Sequence, residues 1–192
     1  GLGDVYKRQY YKPAIFGVIA VIALIFGIKD YYEQSKIKTV LSMTVVNSMA
    51  NDTETPEQKI KETLGYKDDP YSKVEIGVNL TTDSEMAEFD YNAQMAYVAQ
   101  IQAGSIDIMV MPEKLYQTLK KNEPFADLKE LMGEEAFEKF GMQTDTTHIS
   151  ITDSELEQEL GVIYDPVCIA VPYSAPNQEN AVKWIKSLDS RK

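Results

Sequence analysis

The sequence predicts an α/β fold, with a largely parallel sheet flanked by helices and preceded by one transmembrane helix. Three observations predict it. Residues 14–28, AIFGVIAVIALIFGI, form an uncharged apolar run. Beyond them, short runs that are all apolar or apolar at every second residue alternate with longer stretches of helical period. The order strand, helix, strand, helix suits a sheet whose connections cross over its faces.

The apolar run is shorter than the roughly 20 residues of a full bilayer span. Tyr10, Tyr11 and Pro13 extend it on one side, while Tyr31, Tyr32 and a snorkelling Lys29 lengthen it on the other. Ile25-Phe26-Gly27-Ile28-Lys29-Asp30 shows no small-x-small cleavage pattern and no lipobox-like cysteine follows, so the segment reads as an uncleaved anchor. Lys7, Arg8 and Lys12 precede it, whereas Lys29, Lys36 and Lys38 are mixed with Asp30 and Glu33 after it. The positive-inside tendency therefore predicts a single-pass protein of the cell membrane, with a cytoplasmic N-terminus and an extracytoplasmic C-terminal domain. Residues 1–9, GLGDVYKRQ, resemble a translated adapter tract of the kind found at contig ends in metagenomic assemblies. They are set aside as non-native, which leaves Lys12 as the preceding charge. The predicted organisation is a tract at 1–9, a transmembrane anchor at 10–29, a juxtamembrane stalk at 30–38 and an α/β domain at 39–192.

Within that domain, 39–46 (TVLSMTVV) is rich in β-branched residues and predicts a strand. Pro56 opens a helix that closes at Gly65. In 73–80, Val74, Ile76, Val78 and Leu80 alternate as a second strand. A helix is predicted over 84–102, with Ala87, Tyr91, Met95, Val98 and Gln102 on its inward face. The nearly all-apolar 106–111 reads as a central parallel strand, and Pro112 starts the next helix. Short helices follow at 127–131 and 134–140, divided by Gly133. A strand is predicted at 148–152, a helix at 154–160, a strand at 167–171 and a last helix at 175–188, whose inward stripe is Ala181, Trp184, Ile185 and Leu188.

The whole chain has a formal charge of −11, with 19 basic and 30 acidic residues. Four of the basic residues and one of the acidic ones fall in 1–29, which leaves the rest at −14. A body of that charge repels a phosphate backbone, so no nucleic acid partner is expected. The single cysteine, Cys168, lies in an apolar run and reads as a core residue.

No phosphate-binding glycine loop, nucleophile elbow or His-Glu-x-x-His zinc motif is present. His148 is the only histidine and reads as structural or surface-exposed. The acidic pairs Asp68-Asp69 and Glu134-Glu135, and Glu155 with Glu157 and Glu159, lack EF-hand spacing. No catalytic residue, metal site or cofactor is therefore expected, and an enzyme would have to rest on a carboxylate pair such as Asp83 with Glu113. Ligand contacts are expected in the loops at C-terminal strand ends. These are Asn47 and Ser48 after the first strand, Thr82 and Asp83 after the second, Glu113 after the third, and Tyr173 and Ser174 after the last. The methionines near the third strand read as core filling.

Three stretches carry a family resemblance. They are the strand at 39–46 after an anchor; YNAQMAYVAQIQAGSIDIMV at 91–110, followed by Phe125-Ala126-Asp127-Leu128; and CIAVPYSAPNQENAVKWIKSL at 168–188. Together they resemble extracellular, periplasmic-type solute-binding proteins. The resemblance implies a periplasmic-binding-protein-like fold reduced to a single lobe, because the chain is too short for two. It also implies a membrane-anchored solute-binding module that engages a small-molecule solute, a permease or another membrane protein, besides the lipid bilayer around 14–28. The alternative is a structural or protein-interaction domain that keeps the lobe without ligand binding.

Overall fold

The computed structural model describes residues 2–191, with side chains described over 11–189. The adapter-like tract at 1–9 thus lies outside the described side chains. The chain divides into two compact units, Gly1–Lys38 and Thr39–Lys192.

The first unit is one helix, α1 (Leu2–Ser35), which continues through Pro13. Over Tyr11–Ser35 it is long and apolar enough to cross a membrane, and its apolar window is not buried at all. Phe16, Leu24 and Phe26 are each more than 60 % exposed. Such a surface is costly in water and stable in hydrocarbon, where every main-chain group of a helix is already paired. The helix therefore supports membrane association.

In the second unit, strands β1 (Lys38–Val45), β2 (Ser72–Gly77), β3 (Ile108–Pro112), β4 (Ile149–Ile151) and β5 (Val167–Ala170) form one sheet in the order β2-β1-β3-β5-β4. Helices α2 (Glu54–Thr63), α5 (Leu128–Met132), α6 (Glu134–Glu138), α7 (Ser154–Leu160) and α8 (Gln178–Ser187) supply side chains to the core on one face. Helices α3 (Tyr91–Gln102) and α4 (Glu113–Leu119) supply the other. Alternation along the strands feeds both cores: Ile108, Val110, Val167 and Ile169 turn one way, and Met109, Met111, Cys168 and Ala170 turn the other.

The sheet corrects the expected fold class. It is mixed and open, mostly antiparallel in its described pairings, and not a largely parallel periplasmic-binding-protein-like lobe. Strands β1 and β3 are parallel, with Val45 beside Val110. Strand β5 runs antiparallel to both neighbours, pairing Pro112 with Val167 on one side and Ile149 with Ile169 on the other. An all-apolar run reports burial on both faces and carries no information on direction. The run at 167–171 is a strand as expected, but it runs against the parallel sense expected for it.

Two features of α3 also depart from expectation. It begins at Tyr91, because Asp90 is its N-cap and accepts from the Ala93 amide at 2.8 Å. Residues 83–88 instead form a loop closed on Asp83, whose carbonyl accepts from the Met86 amide at 3.1 Å and whose own amide donates to the Glu88 carbonyl at 2.9 Å. The face of α3 is also reversed. Ala93 and Tyr97 are buried, while Tyr91, Met95 and Val98 are 80 %, 61 % and 37 % exposed.

The β4 edge is closed by a side chain. The Ser150 amide donates to Gln143 Oε1 at 2.8 Å, and Gln143 Nε2 donates back to the Ser150 carbonyl at 3.3 Å. Gln143 thereby occupies the main-chain groups that another strand would otherwise recruit.

Candidate functional site

The C-terminal ends of the parallel pair β1 and β3 lie side by side, and Tyr164 is fixed there. Its phenol donates to the carbonyls of Val46 at 2.8 Å and Val110 at 3.3 Å, so both strand ends share one clamp. Beside it opens a cavity of about 430 Å³. Its walls are Met86, Pro112, Tyr164 and Pro166; its acidic groups are Glu85, Glu113 and Asp165; Lys114 and Gln117 complete the rim. A volume of that size suits a small molecule held by apolar walls and a few polar groups.

Of the residues expected at strand ends, only Glu113 lines this cavity. Asp83 supports it indirectly, accepting from the amides of Ala87 at 3.0 Å and Glu88 at 3.3 Å and so shaping the loop that carries Glu85 and Met86. Met86 sits in the left-handed region at φ 56°, which a side chain other than glycine adopts only under constraint. Asp83 and Glu113 do not form a shared carboxylate site, since Asp83 is committed to that loop.

Asn47 and Thr82 meet, but they satisfy one another. Asn47 Nδ2 donates to Thr82 Oγ1 at 2.7 Å, and the Thr82 amide donates to Asn47 Oδ1 at 3.0 Å. Ser48 turns to α7, donating to the Leu160 carbonyl at 2.6 Å. Tyr173 and Ser174 lie at the opposite end of the strands. Because β5 is reversed, its C-terminal end emerges beside the start of β3, where the Ser174 carbonyl approaches Gly104 in the α3–β3 turn. Tyr164 and Asp165 occupy the position expected for that pair, since they precede β5. The sequence signal was present in Tyr164-Asp165-Pro166, and only the strand direction was needed to use it.

Behind the cavity is a buried polar cluster that the sequence did not announce. His148 is fully buried, not on the surface. Its Nδ1 lies 2.5 Å from Asp145 Oδ1, and its Nε2 faces Glu113 Oε1 at 3.7 Å and Thr144 Oγ1 at 3.5 Å. The Tyr116 ring stacks on the imidazole with centroids 4.3 Å apart, and its phenol donates to Asp145 at 3.0 Å. Tyr116 also bonds Thr147, and Lys120 reaches Asp145 at 3.2 Å. Beneath them lies the buried thiol of Cys168, which burial pushes far above its ordinary range. It is thus held as a thiol and is not poised as a nucleophile.

Burial opposes ionisation of Asp145, but hydrogen bonds from His148, Thr147 and Tyr116, with the charge of His148, outweigh it and hold the carboxyl at about 2, below the ordinary 3.8. A carboxyl with a depressed folded-state pKa contributes stability that is fully present above its unfolded value and lost as pH falls through its folded one. Asp145→Asn is therefore expected to flatten the acid limb of a melting-temperature profile between about pH 4 and pH 2 relative to the unchanged protein.

Among the described residues, no group of three or more His, Cys, Asp or Glu side chains is arranged to hold a metal ion. No family model, curated protein or solved structure matches the chain.

Proposed function

We propose that this chain is a single-pass membrane protein whose extracytoplasmic domain binds a small solute in the cavity at the ends of β1 and β3. The observation that carries this reading is the coincidence of an open, partly apolar cavity with the C-terminal ends of the parallel strands β1 and β3. The exposed apolar helix α1 supplies the tether. Lys12 before the span supports a cytoplasmic N-terminus. A transport role beside a permease or another membrane protein is what the sequence resemblance to extracellular solute-binding proteins implies.

A second reading has an observation of its own. Tyr91, Met95 and Val98 form an exposed apolar stripe at helical spacing on α3, as a protein-interaction domain would present.

Thermal unfolding of the full chain in detergent micelles, screened against sugars, amino acids, peptides and calcium, separates the two. Trp184 is the only tryptophan and is buried in the domain, so its fluorescence reports that unfolding. A ligand at about a hundred times its Kd adds roughly 2.7 kcal/mol, enough to raise the melting temperature by several degrees. A rise confined to one chemical class supports the binding module. A flat response across all classes contradicts it and leaves the α3 stripe as the better lead.

A further inference from the structure

We propose that the cavity takes a small organic cation, and that a proton on His148 opposes its binding. This rests on the binding-module reading and names the ligand class of the same site. Two independent features carry it. The first is charge on an apolar surface: Glu85, Glu113 and Asp165 line the cavity against Lys114 alone. The walls of Met86, Pro112 and the Tyr164 ring suit the alkyl groups of a substituted ammonium better than the shell of a hydrated metal ion.

The second feature is the position of Glu113. Its side chain is 32 % exposed toward the cavity region, while on the inner side its Oε1 faces Nε2 of the fully buried His148 at 3.7 Å. The other groups around the imidazole are already placed. Asp145 holds Nδ1, the Tyr116 ring covers one side, and Lys120 compensates Asp145 from outside. The Cys168 thiol on β5 lies within electrostatic range of Glu113 and Asp145. Glu113 is therefore the carboxylate that the imidazole Nε2 and the cavity share. A proton on His148 and a cation in the cavity draw on one negative charge, so by linkage each weakens the other.

Choline is a suitable probe because its charge is permanent, so any pH dependence of its binding belongs to the protein. Its neutral carbon isostere, dimethylbutanol, has nearly the same shape. Calorimetric titration of the full chain in micelles is expected to show choline binding at least about tenfold tighter than the isostere, and a loss of about tenfold in Glu113→Gln, each near 1.4 kcal/mol. Choline affinity should fall as pH is lowered, and His148→Gln should remove that fall. Should His148→Gln not fold, titration of the unchanged protein in two buffers of different ionisation heat gives the proton count, which is a net release on binding.

Equal affinity for choline and the isostere, unchanged binding in Glu113→Gln, or no proton release would each overturn the inference. Binding of a neutral or anionic solute in the cavity, without choline, overturns it while leaving the binding-module reading intact. No binding by any class removes both.

Discussion

Asp107→Ala is expected to destabilise the domain by about 3–5 kcal/mol, because it strips three hydrogen bonds of their shared acceptor. Asp107 is fully buried at the entry to β3. Its Oδ2 accepts from the Ser42 amide at 2.8 Å and from Asn177 Nδ2 at 3.0 Å, and its Oδ1 accepts from the Asn177 amide at 2.7 Å. One carboxylate thus ties β1, β3 and the start of α8 together. Alanine leaves the Ser42 and Asn177 amides without this acceptor, and Asn177 Nδ2 with only the Thr39 carbonyl at 3.5 Å, in a partly buried region where each such loss costs on the order of 1–3 kcal/mol. Asp107→Asn keeps the volume but sets an N–H against an N–H donor, so it should fall between alanine and the original residue. Trp184 fluorescence during thermal unfolding measures all three proteins. A loss on the order of 10 °C is expected for alanine in a domain of this size.

Gly161→Ala is expected to cost about 3 kcal/mol or more, whereas Gly141→Ala should cost only about 1 kcal/mol. Both glycines have positive φ, at 68° and 87°, so both substitutions carry conformational strain. They differ in what a new methyl group meets. At Gly141 nothing lies within 4 Å, but at Gly161 the Cβ would stand 2.6 Å from the Ala50 amide nitrogen and 2.9 Å from its Cα. Ala50 belongs to a loop that cannot move freely, because the Met49 amide donates to the Gly161 carbonyl at 2.8 Å and Ser48 is bonded to Leu160. The clash therefore pushes apart the loop after β1 and the end of α7. Comparing the two variants by the same fluorescence melt separates steric approach from backbone conformation, and equal losses would show that the close approach does not matter.

Much of the element order was legible because burial writes itself into spacing. Ala181, Trp184, Ile185 and Leu188 recur at helical intervals and are all buried on α8. Val74 and Ile76 alternate and are buried on β2. Spacing alone failed where two faces of a helix were both partly apolar. On α3 the stripe of Tyr91, Met95 and Val98 competed with that of Ala93 and Tyr97, and the smaller stripe is the one that meets the sheet. Strand direction was invisible because it depends on how the chain returns after α7, and no residue pattern within 167–171 records that. The error in direction moved Tyr173 and Ser174 to the wrong end of the strands and hid Tyr164 and Asp165. The His148 cluster was hidden for a related reason: Glu113, Asp145 and His148 are brought together by tertiary packing from two segments, with Asp145 and His148 only three residues apart and Glu113 far upstream.

Alkaline extraction of membranes from cells producing the full chain, set against the same extraction for residues 35–192, tests most directly whether α1 anchors the protein. The full chain should stay in the membrane pellet, while the shorter one, freed of the exposed surface from Tyr11 to Ile28, should be released as a soluble, folded domain. Recovery of the full chain in the supernatant would contradict membrane tethering and, with it, the proposed placement of the solute cavity outside the cell.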